Sequence, residues 1–169
     1  MNNLYQERLN GIIYDFQSGS REIALKLFSF VREFVTSANT YSWKSELTQY
    51  LAEIESHINS MAIIKNIILQ IQNFLSTSAS KADFLQKIEN FEIEFHYVIN
   101  RIINNLRLEI FNRPKQYTII TCSYSSTINN ILIHFSKIFR IDVYLIKSLF
   151  KNTDVSEQYI NDFANSTIN

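Results

Sequence analysis

Two glycines, one proline and one cysteine are all that a chain of 169 residues contains of these types. With so few breakers, a fold of many short strands and hairpins gives way to long helices. The lone Cys122 excludes an intrachain disulfide framework and a multi-cysteine zinc site, so a reduced, cytoplasmic setting is the simplest expectation. Excess charge of either sign is lacking too. Sixteen basic and sixteen acidic side chains leave a formal net charge of +0, without the basic footprint of a nucleic-acid binder or a polyacidic tail. Near-zero charge weakens self-repulsion and favours association with a partner or with itself. The most apolar run, Met61 to Leu75, is interrupted by Lys65, Asn66, Gln70, Gln72 and Asn73, too polar and too short to span a bilayer. The first residues carry Glu7 and Arg8 with no apolar stretch of a secretory signal. What is present is 46% hydrophobic and 14% aromatic residues, enough for a packed core rather than disorder.

The apolar residues fall at helical spacing through the first two thirds of the chain. A helix is expected from about Leu4 to Phe16, with Leu9, Ile12, Ile13 and Phe16 on one face. Ser18-Gly19-Ser20 breaks it and can cap the next. That second helix carries Ile23, Ala24, Leu27, Phe28, Val31, Phe34 and Val35 on a single stripe. Thr36 to Thr40 reads as a polar connection. A third helix carries Leu47, Tyr50, Leu51, Ile54 and Ile58. The fourth, Met61 to Leu75, is apolar on more than one face and is expected at the centre of a bundle. Ser80 with Asp83 resembles a capping box, opening a fifth helix from about Lys81 to Phe111 with Phe84, Leu85, Ile88, Phe91, Phe95, Val98, Ile102 and Leu106 as its stripe. Pro114 ends it. Such helices bury their stripes only against each other, so a bundle of about five is expected over residues 1–113.

Past Pro114 the pattern changes. Tyr117 to Thr121 is short, β-branched and apolar, as in a buried strand. Cys122 to Thr127 is a polar loop. Ile128, Ile131, Leu132, Phe135 and Ile138 return to helical spacing, and Ile141 to Ile146 reads as a second strand. Strand, loop, helix and strand in about thirty residues make a parallel, right-handed βαβ unit. A short last helix is expected from Asp154 to about Ala164, with Asp154 and Glu157 as its capping box. The fold class is therefore mostly α: a helical bundle, then a partial Rossmann-like βαβ segment over 114–169 with a short C-terminal helix. Two parallel strands leave both sheet edges open, which favours packing or pairing with another chain.

In open α/β folds ligands bind beyond the carboxyl ends of strands. Cys122, Ser123, Tyr124, Ser125, Ser126 and Thr127 lie there, at the start of a helix whose unpaired N–H groups suit a phosphate. The same hydroxyls can equally serve only as helix caps.

Residues 118 to 127, Thr-Ile-Ile-Thr-Cys-Ser-Tyr-Ser-Ser-Thr, resemble the strand and loop Ile-Leu-Thr-His-Ser-Tyr-Ser-Ser-Thr of the alpha, beta and delta subunits of translation initiation factor 2B and their archaeal relatives. Ser18 to Ala24 resembles the Gly-Ser/Ala stretch that opens an early helix in that family. Asn59-Ser60-Met61-Ala62, followed by Asn66, resembles its Pro-Ser-Met-Ala segment. The resemblance covers roughly residues 11 to 150 and implies the first half of such a subunit. It adds Gly19 and Ser20 to the loop residues as ligand-binding candidates for a phosphorylated small molecule, a nucleotide or sugar phosphate. It also implies a protein partner, a translation initiation factor or paralogous subunit.

The family includes ribose-1,5-bisphosphate and methylthioribose-1-phosphate isomerases, which use a cysteine in this loop and a later aspartate. In register, Cys122 falls on the family's histidine and Ser123 on the enzymes' cysteine, and the aspartate has no counterpart here. The acidic residue and Ser-Pro pair after the second strand are replaced by Lys147-Ser148-Leu149-Phe150. An isomerase needs both groups to move a proton between neighbouring carbons, so the expectation is a non-catalytic regulatory or interaction protein with no cofactor. The alternatives are a helical module pairing with itself or a paralogue without ligand, and, behind it, a sugar-phosphate isomerase.

The other polar residues read structurally. His57, His96 and His134 lie on different helices without metal-binding spacing, so no metal site is expected. Glu89, Glu92 and Glu94 are expected on a solvated face. Tyr41 and Trp43 suit either an interface anchor or a packed helix junction. Arg101, Arg107 and Arg113 favour the C-terminal dipole of the long helix, with a reach towards an anion as the second use.

Overall fold

The computed structural model describes residues 3–15, 18–39, 41–58, 61–110, 116–121, 125–146, 149–150, 153–154 and 161. The elements run α1 (Asn3–Ile13), α2 (Ser20–Ser37), α3 (Trp43–His57), α4 (Ala62–Thr77), α5 (Lys81–Ile110), β1 (Gln116–Thr121), α6 (Ser126–Ser136), β2 (Arg140–Leu145), β3 (Leu149–Phe150) and β4 (Thr153–Asp154). This is the expected architecture, mostly α with a partial βαβ unit. The chain divides into two compact units, Met1–His96 and Tyr97–Asn169, and the division falls inside α5.

The first unit is built around α2. All seven residues of its stripe are buried, and Phe30 joins them. It packs on α1, α3 and α4, and Phe28 meets Phe91 and Phe95 of α5 edge-on, with ring centroids 5.4 and 5.6 Å away. Phe30 and Phe34 each meet Tyr50 of α3 at a steep angle, the arrangement ring quadrupoles favour. Burial, helped by Glu46 and Glu53, raises the Tyr50 phenol above its ordinary pKa. The expectation of a central α4 is therefore corrected. It buries Ile64, Ile67, Ile68, Ile71 and Leu75, but Ile63 and Leu69 stand exposed on its outer side. Helix α2 carries the wider and more aromatic buried stripe, eight buried residues against five on α4.

Polar contacts orient the helices around that core. Arg8 of α1 pairs with Glu33 of α2, and Gln6 donates to Glu53 of α3 at 3.3 Å. Arg32 pairs with Glu92 at 2.8 Å, so Glu92 is half-buried and tied to α2, while Glu89 and Glu94 are exposed as expected. Helix α2 continues to Ser37, past Thr36, because the Thr36 and Ser37 hydroxyls donate to the carbonyls of Arg32 and Glu33 one turn back. At one end of the bundle, lysines meet the carbonyl groups that helix ends leave unpaired. Lys81 donates to Ala38 after α2, Lys44 to Ser78 at 2.8 Å and Lys87 to Thr77 at 3.2 Å after α4. Trp43 is buried against Phe84, with ring centroids 5.2 Å apart. It is a packed junction, whereas Tyr41 is 98% exposed.

The capping pair at α5 forms with a small shift. The Asp83 N–H donates to the Ser80 hydroxyl at 3.1 Å. The Asp83 carboxylate accepts in return from Ala79 N–H at 3.0 Å, one residue earlier than the usual box. That backbone bond, with Lys87 beside it, holds the Asp83 carboxyl below its ordinary pKa.

In the second unit β1 and β2 pair in parallel from Gln116↔Arg140 to Thr121↔Leu145, with α6 between them in sequence and packed on β2. Tyr117 meets Phe139 edge-on at 5.5 Å, and Phe139 lies 6.0 Å from Phe135 of α6, so the Tyr117 face of the sheet is the covered one. Residues 149–150 and 153–154 form a two-stranded antiparallel ladder, Leu149↔Asp154 and Phe150↔Thr153, which the pattern does not announce. Asp154, expected at a helix start, is thus in β4. Asn161 is helical, and the rest of the expected C-terminal helix lies outside the described residues.

Two outcomes follow. Phe28→Ala removes a fully buried ring and should destabilise the first unit by about 3–5 kcal/mol, read from the urea midpoint at unchanged slope. Asp83 has a lowered folded-state pKa, so its contribution is full above the ordinary aspartate value, about 3.9, and is lost as pH falls through the lowered one. Asp83→Asn should therefore flatten the acid limb of stability against pH and leave the neutral-to-alkaline slope unchanged.

Candidate functional site

Strand β1 delivers the chain to the polar loop, and α6 carries it away. Extended backbone at Ser125 (φ −138°, ψ 114°) and a side chain that accepts from Ile128 N–H make Ser125 the N-cap of α6. The bond is long, 3.4 Å, and the Ser125 carbonyl accepts the first helical bond, from Asn129 N–H at 2.8 Å. Ser126 and Thr127 open the helix, with Thr127 half-buried. Cys122, Ser123 and Tyr124 lie outside the described residues. The sequence thus places three of the six loop candidates, Ser125 to Thr127, at a helix N-terminus directly beyond the carboxyl end of a strand. There the first-turn N–H groups and the helix dipole favour an anion. At Ser125 the capping role is observed.

Gly19 and Ser20 belong to the first unit. Gly19 is the N-cap of α2, with φ −71° and ψ 164° and no side-chain cap bond. Ile23 N–H donates to its carbonyl at 3.1 Å. The α1–α2 turn is held instead by Asp15, whose carboxylate accepts from Ser18 N–H at 2.8 Å and pairs with Lys26. The serines flanking Gly19 are therefore not the cap that the sequence allows. One residue further on, the buried Nε of Arg21 has no hydrogen-bond partner among the described residues. Sequence reasoning passed over Arg21; its only signal was a cation directly behind a Gly-Ser helix start.

The remaining candidates stay apart. His57, His96 and His134 sit on α3, α5 and α6, and among the described residues no group of three metal-binding side chains exists. His57 Nδ1 lies 2.8 Å from the Glu53 carbonyl, and His96 lies 3.9 Å from Glu92. Arg101 is exposed on α5; Arg113 and the Arg107 side chain lie outside what the structure describes. No described helix is long and apolar enough to cross a membrane.

No protein-family model matches the chain, and no curated protein matches it in sequence. Solved structures do share its fold. The Pyrococcus horikoshii OT3 translation initiation factor eIF-2B superposes with a TM-score of 0.82 at 15% identity, over 99% of this chain and 58% of that one. The tetrameric eIF2B-beta2-delta2 complex from C. thermophilum gives 0.70 at 14% identity, over 94% and 57%. The eIF2B beta structure from Chaetomium thermophilum gives 0.63 at 14% identity, over 94% and 54%. The chain spans a little over half the length of each. At these identities the likeness establishes the fold, the one the Ser-Tyr-Ser-Ser-Thr loop pointed to.

Replacing Ser125 by Ala should lower stability by about 0.5–1 kcal/mol, the lower part of the range for a lost N-cap, because its bond is long. Ser125→Asp should restore the loss. Thermal unfolding of the three proteins decides this; equal melting temperatures for wild type and Ser125→Ala would remove the capping role.

Proposed function

We propose that this chain is a non-catalytic regulatory or interaction protein of the initiation factor 2B type. In this reading it works in the cytoplasm beside a paralogous subunit or another translation initiation factor. The observation that carries the reading is the fold likeness over 99% of the chain, with the Ser-rich loop between β1 and α6. That one matched structure is a complex of beta and delta subunits supports association with a paralogue.

The ligand half of the proposal is a phosphorylated small molecule, a nucleotide or sugar phosphate. In the second unit its anchor is the segment Cys122 to Thr127, where the N-terminus of α6 supplies N–H donors. In the first unit Gly19 and Ser20 open α2, and the unpaired Nε of Arg21 is a donor of the kind a phosphate oxygen takes. The isomerase reading is weaker. By the resemblance, its thiol position is occupied by Ser123, which cannot supply the thiol that the reaction uses.

Calorimetric titration with AMP and with sugar phosphates tests the ligand half. Saturable binding is expected, weakened at least tenfold by Ser126→Asp, which sets a like charge at the helix N-terminus. No heat at millimolar ligand for any of them would remove it. Turnover of ribose 1,5-bisphosphate by the purified chain would overturn the non-catalytic reading.

A further inference from the structure

We draw no further inference here: the strongest candidate, the lysine cluster at one end of the helical bundle, where Lys44 and Lys87 converge on Ser78 and Lys81 meets Ala38, is accounted for by the helix-end carbonyl groups it serves, and nothing in the structure shows what would cover it.

Discussion

Withdrawal of one face of α2 from water is the constraint on which the first unit depends. Its stripe carries eight buried side chains, and each of them except Ala24 contributes about 1.5–3 kcal/mol on leaving water. Most of the stability of a helix in a protein comes from packing its amphipathic face, so that gain is realised only when α1, α3, α4 and the start of α5 close around it. The peripheral polar contacts follow from this placement. Arg8 to Glu33 and Arg32 to Glu92 lie at helix borders already set by the packing. Each has an arginine open to solvent, although Glu92 is half-buried, so both add orientation more than stability. The lysines on the helix-end carbonyls have the same character: they satisfy groups that the helix ends leave unpaired.

The second unit has the opposite character. A parallel strand pair is joined through a crossover rather than a hairpin, and α6 is that crossover. It covers one face of the sheet through Phe135, Phe139 and Tyr117. One helix cannot lie on both faces, so Ile120 and Tyr144 remain outside. The same strand–helix junction places the N-terminus of α6 beyond the end of β1.

The helices were legible because burial on one side writes a period of about 3.6 into the apolar residues. The α2 stripe read from spacing is buried in full. What that reading left out is its width: Phe30, three residues after Leu27 and four before Phe34, extends the stripe at its edge and packs on Tyr50 and Phe34. The candidate site was legible in part. Ser125 was marked by residue type and by its position after an apolar strand. Arg21 was not marked, because an arginine at a helix start is ordinary until its Nε proves to be buried. The short β3–β4 ladder left no signal, since two residues per strand are too few to show alternation.

By itself, then, the sequence determined helices α1 to α6, strands β1 and β2, their parallel βαβ order and the loop that joins β1 to α6. These depend on local spacing, caps and breakers, all readable along the chain. Tertiary structure alone decided that α2 and not α4 is the hub, that Glu92 leaves the solvated face for Arg32, that Trp43 is packed while Tyr41 is bare, and that Ile120 and Tyr144 stand uncovered. Each of these depends on which neighbour a side chain meets. An apolar residue carries the same period whether or not a partner arrives to cover it.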